Sequence, residues 1–165
     1  LTFRQVVAEA VERTEAEADL QKVRISVTSV EGWLTVVGDR RQLVSALANL
    51  LENAVKYSDA GAEVTVSARA AGDGVELDVA DHGIGIPATD LERVFERFYR
   101  VDRARSRDTG GTGLGLAIVR HVAQNHGGDV VVRSREGEGS TFTLRLAGVA
   151  AVPPVTEHPP IPAST

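Results

Sequence analysis

Apolar residues recur at helical spacing in the first stretch of the chain. Phe3, Val6, Val7, Ala10 and Val11 fall on one side, with acids on the other. This predicts an amphipathic helix over residues 1 to about 19. The period then shortens, and residues 24–28 and 34–37 alternate as short strands split by the turn pair Glu31-Gly32. Asp39 is placed to N-cap a second helix running through Ser58, and Asp59-Ala60-Gly61 breaks it. Residues 64–68 and 75–79 alternate again, joined by the hairpin signal Gly72-Asp73-Gly74. Residues 87–112 carry little regular pattern beyond a short helical stretch near 91–95. A third helix is expected from about 113 to 126, stopped by Gly127-Gly128, and strands follow at 130–133 and 141–146. From Gly148 onward the chain is Pro-rich and aperiodic, which reads as a disordered tail or linker after one domain over residues 1–147.

Strands that alternate, rather than run solidly apolar, have one dry face and one wet face. Three helices over the dry face give a two-layer α/β sandwich with a mixed, mostly antiparallel sheet. A doubly wound fold would need both faces covered.

Composition narrows the function classes. A chain of 165 residues with 42% hydrophobic content suits one folded domain, and no run reaches the length of a membrane span. Cysteine is absent, which excludes disulfides and thiolate metal sites. Methionine is also absent and the first residue is Leu1, so an excised piece of a longer protein is expected. A net charge of −5 argues against nonspecific nucleic-acid binding as the main activity. The charge is uneven, however. Between residues 93 and 107 lie Arg93, Arg97, Arg100, Arg103, Arg105 and Arg107 against only Glu96 and Asp102. A solvated loop and a cationic flap over an anionic ligand both fit that run.

Three blocks carry candidate chemistry. On the second helix Leu43, Leu47, Leu50 and Ala54 form an apolar stripe, and Asn49, Asn53, Lys56 and Tyr57 cluster on its flank. Mid-helix asparagines compete with the backbone for hydrogen bonds, so two at i and i+4 beside a lysine suggest a polar pocket; an ordinary exposed edge is the other reading. An amide oxygen is a hard neutral ligand suited to Mg²⁺, and a lysine offers a point charge to phosphate. Next, Asp81 closes a strand just before Gly83-Ile84-Gly85-Ile86-Pro87. A partly desolvated carboxylate there could accept a hydrogen bond from an exocyclic amine such as that of adenine, or simply satisfy its own turn. Finally, Gly110-Gly111-Thr112-Gly113-Leu114-Gly115 opens the third helix, a place where backbone N–H groups meet phosphate. No G-x-x-x-x-G-K-[ST] occurs, and Pro87 spoils the helix that a dinucleotide G-x-G-x-x-A would have to open. Of the histidines, His121 and His126 read as surface or packing residues, His158 lies in the tail, and for His82, wedged before Gly83, contact with a ligand is the lesser reading.

In this order the blocks resemble those of the catalytic ATP-binding domain of two-component sensor histidine kinases, members of the superfamily with the Bergerat fold. Asn49 to Tyr57 is similar to the N box, Asp81 to Pro87 to the G1 box, Phe95-Glu96-Arg97-Phe98 to the F box and Gly111 to Gly115 to the G2 box. Gly137 to Thr141 resembles the small glycine turn after it. The arginine-rich, lysine-poor composition resembles high-GC actinobacterial members such as the PrrB type. The resemblance implies ATP and Mg²⁺ as ligands, with Asn53 as the metal ligand and Asn49 beside it. Lys56 would face phosphate, Tyr57 would border adenine and Asp81 would accept the adenine amine. Gly83 and Gly85 would allow close approach, Ile86 would stand with them among the nucleotide-binding residues, and Thr141 would help through a water. Arg97 and Arg100 become candidates for the γ-phosphate and residues 101–111 a mobile lid, while Gly111, Thr112, Gly113, Leu114 and Gly115 would embrace the phosphates.

Hydrolysing relatives carry a glutamate four residues before the metal asparagine. Here that position is Asn49, which is no base, and Glu52 points about 100° away from Asn53 on the helix. The resemblance therefore implies transfer of the γ-phosphoryl group to a protein histidine. None of the four histidines stands in the H-[ED]-x-[KR]-T-P context of the family's acceptor. An upstream dimerisation and phosphoacceptor domain and a cognate response regulator are the implied partners. The implied setting is the cytoplasmic part of a homodimeric membrane sensor, with this piece monomeric by itself. The alternatives in the superfamily are a protein-serine kinase of the anti-sigma-factor kind, a nucleotide-sensing module, or an ATP-hydrolysing clamp.

Overall fold

The computed structural model describes residues 2–31, 34–35, 37–72, 74–97, 99 and 115–146. The expected tail, the lid at 101–111, Phe98, Arg100 and Gly111 to Leu114 lie outside the described residues.

Helix α1 (Phe3–Gln21) buries Phe3, Val6, Val7 and Ala10 of the expected stripe and continues it with Thr14 and Ala18, while Val11 is half-buried at its edge. It ends where Lys22 turns left-handed at φ 57° and Val23 N–H reaches back to the Ala18 carbonyl at 2.9 Å. Strand β1 (Arg24–Val30) follows. Helix α2 (Arg40–Lys56) starts with the Asp39 carboxylate accepting from the Gln42 N–H at 3.2 Å. Strands β2 (Glu63–Ala71) and β3 (Gly74–Asp81) form a hairpin in which Gly72 supplies the positive φ of 57°. Helix α3 (Gly115–Asn125), β4 (Asp129–Arg135) and β5 (Gly139–Leu146) complete the described chain.

The five strands lie in the order β1-β2-β3-β5-β4, with β1 parallel to β2 and every other pair antiparallel. Alternation sorts the sheet into two faces. Val64, Val66, Val75, Leu77, Val79, Val130, Phe142 and Leu144 point into the core under the three helices. On the other face Arg69 bridges Glu76 and Asp78, and Arg145 reaches Glu76 at 3.3 Å. This is the two-layer sandwich expected from the pattern.

Two expectations change. Among the described residues of that segment, 34, 35 and 37, none lies in a strand: Leu34 is fully buried and its carbonyl takes the Phe3 N–H at 2.8 Å, while Thr35 makes one isolated bridge to Thr2. A segment bonded to the start of a helix has no ladder to extend. The helical stretch near 91–95 is instead a succession of three-residue-spaced turns, Asp90 N–H to Pro87, Arg93 to Asp90 and Glu96 to Arg93. Phe95 anchors that run by packing edge-on against Phe142, at 6.1 Å between ring centroids.

Candidate ATP-binding site

Helices α2 and α3 run antiparallel. Gly115 at the start of α3 meets Asn49 near the end of α2, where a Cβ on that glycine would come 3.2 Å from Asn49 Oδ1. At the other end His126 receives the Asp39 N–H on Nε2 at 3.0 Å, and its Nδ1 lies 2.8 Å from the Val122 carbonyl. His126 is thus the packing residue expected, tying the far ends of the two helices. The last two turns of α2 present Asn49, Asn53 and Lys56, all half-buried, above buried Leu47, Leu50, Leu51, Ala54 and Val55. Tyr57 caps the helix.

The carboxyl end of β3 arrives beside that cap. Ile84 N–H donates to the Tyr57 carbonyl at 3.3 Å, and a Cβ on Gly83 would fall 2.0 Å from the same oxygen. On its other side the loop leans on the β4–β5 hairpin. Gly85 has φ +73°, and a Cβ there would fall 2.2 Å from the Arg135 carbonyl oxygen, while Gly137 N–H bonds the Ile84 carbonyl at 2.7 Å. The glycines of this loop admit backbone from both sides, so their first duty is to seat the loop. Gly85→Ala combines a strained φ with a backbone overlap and should cost about 2 kcal/mol or more in urea unfolding. Gly137→Ala has a similar φ, +83°, but open space around it, and should cost only about 1–2 kcal/mol.

Asp81 ends β3 on the inward face, 6% exposed. Its Oδ1 accepts from the Gly83 N–H at 2.9 Å. Burial pushes its carboxyl above the ordinary aspartate range; the N–H groups of Gly83 and Ser140 and the charge of exposed His82 offset this only in part. A carboxylate held in that way gains from any further donor that reaches it.

The register across β3 and β5 revises one expectation. Asp81 pairs with Ser140, and Thr141 pairs with Ala80, one residue along and on the opposite sheet face. The hydroxyl beside Asp81 therefore belongs to Ser140, which is buried and bonded to Ser134 Oγ at 2.8 Å. A single-residue shift is invisible in sequence, where Ser140 and Thr141 are adjacent hydroxyls. Ser134 had no signal at all. Its Oγ receives the Ile86 N–H at 2.7 Å and donates to the Gly139 carbonyl at 2.9 Å.

The remaining candidates divide. Ile86 is buried beneath the loop and Arg97 is exposed at the end of the turn run. Arg93 stacks over Tyr99 at 4.6 Å and pairs with Glu96 at 3.3 Å, the behaviour of a surface loop residue. Arg103, Arg105 and Arg107 lie outside the described residues. Among the described residues no group of three His, Cys, Asp or Glu is placed to hold a metal ion. A cation held from Asn49 or Asn53 would draw most of its coordination from phosphate oxygens and water, which suits Mg²⁺.

The chain belongs to the histidine kinase-, DNA gyrase B-, and HSP90-like ATPase family, whose model matches residues 38–148. It is 52% identical over 141 residues to the sensor-like histidine kinase SenX3 of Mycolicibacterium smegmatis, a match covering 86% of this chain and 36% of that protein. It is 48% identical over 110 residues to the sensor histidine kinase WalK of Bacillus subtilis, covering 66% of this chain and 18% of WalK. The chain thus spans about a third of the length of its SenX3 relative. Among solved structures, the mycobacterial sensor histidine kinase MprB superposes with TM-score 0.78 at 30% identity, covering 92% of this chain and 97% of that one. Full-length ShkA in complex with AMPPNP superposes with TM-score 0.77 at 30% identity, covering 92% of this chain and 31% of ShkA. These relatives put the chain on the sensor histidine kinase side of the family, as its ATP-binding domain.

Proposed function

We propose that this domain holds Mg-ATP between the carboxyl end of α2 and the loop after Asp81, and donates the γ-phosphoryl group to a histidine on an upstream dimerisation domain. From there it would pass to a response regulator. The hydrogen bond from Ile84 to the Tyr57 carbonyl supports this reading, because it ties the loop that follows the buried carboxylate to the helix end that bears Asn53 and Lys56. In it Asp81 accepts the adenine amine, with Ser140 taking the place given above to Thr141. Tyr57 borders the base, and Lys56 neutralises phosphate charge. Asn53, with Asn49 beside it, would ligate Mg²⁺, which shields the charge developing on the transferred group. Gly111 to Gly115 would supply backbone N–H groups, and Arg97 and Arg100 cationic cover. Asn49 stands where a water-activating glutamate would be needed, so the chain's residues position ATP without promoting hydrolysis.

No described helix is long and apolar enough to cross a membrane. The proposed setting, the cytoplasmic part of a membrane-bound homodimeric sensor, is supported by its likeness to sensor histidine kinases. Labelled ATP and Mg²⁺ should leave the isolated chain unlabelled and hydrolyse slowly. Adding the acceptor domain in trans should transfer acid-labile label to that domain. Acid-labile label on this chain alone, or rapid phosphate release with none on the acceptor, would overturn the proposal.

A further inference from the structure

The floor of the pocket beneath Asp81 is a chain of hydroxyls whose protons have only one consistent arrangement. Ser134 Oγ touches three groups: the Ile86 N–H at 2.7 Å, the Gly139 carbonyl at 2.9 Å and Ser140 Oγ at 2.8 Å. An amide N–H only donates and a carbonyl oxygen only accepts. Ser134 has one proton, and it donates that proton to the Gly139 carbonyl. Ser134 must therefore accept from Ser140, so the Ser140 proton is turned down toward β4 and away from Asp81. Ser140 lies across the ladder from Asp81 on the same sheet face, and both residues are 6% exposed. With its proton committed below, Ser140 Oγ presents only lone pairs to its surroundings. Asp81, ionised, also presents only lone pairs.

We propose that Ser134 is a specificity-determining residue of the nucleotide site: by fixing the direction of the Ser140 hydroxyl it withholds that donor from the base pocket, so that a 6-amino purine is preferred to a 6-oxo purine. The inference rests on the ATP-binding reading above. A 6-amino group, directly or through one water, donates to this floor. A 6-oxo group would meet acceptors in Asp81 and the Ser140 hydroxyl, and a water bridging those two spends both its protons on them, so the desolvated oxygen finds no donor there, the costly side of the hydrogen-bond asymmetry. Loss of the Ser134 hydroxyl removes the acceptor below Ser140. The Ser140 hydroxyl is then free to rotate and donate upward, and it becomes tolerant of an oxo group.

Binding of Mg-ATP and Mg-ITP to the whole chain, measured by calorimetry, tests this. ITP carries a 6-oxo group in place of the amine. The wild type should prefer ATP, and Ser134→Ala should shrink the ATP/ITP ratio about five- to tenfold, mostly through tighter ITP binding. Ser134→Thr, which keeps the hydroxyl, should restore the ratio. In a Ser140→Ala background, Ser134→Ala should no longer move it, because there is no hydroxyl left to turn. Equal weakening of both nucleotides by Ser134→Ala, with the ratio unchanged, would reduce Ser134 to a prop for the Ile86 loop and overturn the inference while leaving ATP binding intact. Failure of the wild type to bind either nucleotide would overturn the ATP-binding reading, and this one with it.

Discussion

Asp81→Asn should weaken Mg-ATP binding by about tenfold to a hundredfold, the equivalent of one charge-assisted hydrogen bond. The amide can still take the Gly83 N–H on its oxygen, so the Asx-type turn that starts the loop survives. Its NH₂ replaces a lone pair with a donor aimed where the proposed adenine amine also donates. A second readout separates recognition from folding. Burial raises the Asp81 pKa in the folded state, so between the ordinary aspartate value and that raised value the folded chain holds a proton that the unfolded chain has lost. Stability drawn from this group is therefore present at low pH and declines as pH rises through the window. The stability of wild type minus Asp81→Asn, followed by thermal melts, should fall as pH climbs past the aspartate range. Nucleotide affinity should move the opposite way, rising as the carboxylate ionises. An Asp81→Asn variant that binds ATP at wild-type strength at neutral pH would remove Asp81 from the purine site.

The regular elements were legible because burial imposes a period. The Asp39 cap, the α2 stripe and the Gly72 hairpin each have a local cause, and each stands where the pattern puts it. What the pattern missed or left open depended on partners distant in sequence. Residues 34–37 alternate like a strand, yet the Leu34 carbonyl is taken by Phe3 across the fold. Ser140 and Thr141 are equivalent hydroxyls until register assigns one to each sheet face. Gly83 and Gly85 look like ligand glycines in the sequence; the backbone of Tyr57 and Arg135 lies where their side chains would be. Ser134 is one serine in a short strand, and only its three partners from two other segments give it a role.

Asn53→Ala should abolish the contribution of magnesium with little effect on folding. Asn53 is half-buried on the flank of α2, off the stripe formed by Leu47, Leu50, Leu51 and Ala54. Alanine is the better helix former by about 0.5 kcal/mol, so the variant should melt no lower than the wild type. Lost function then reports on chemistry. Metal-free ATP binding, set by Asp81 and the loop, should change less than about twofold, while phosphoryl transfer to an acceptor domain in trans should fall about a hundred- to a thousandfold. Asn53→Asp keeps an oxygen ligand but adds a negative charge beside the phosphates, and should fall between the two. Asn49→Ala, one turn earlier and against Gly115, should weaken transfer less. If Asn53→Ala kept full magnesium dependence while Asn49→Ala lost it, the metal would belong to the other asparagine, and the seat of the phosphates would shift one turn toward the start of α3.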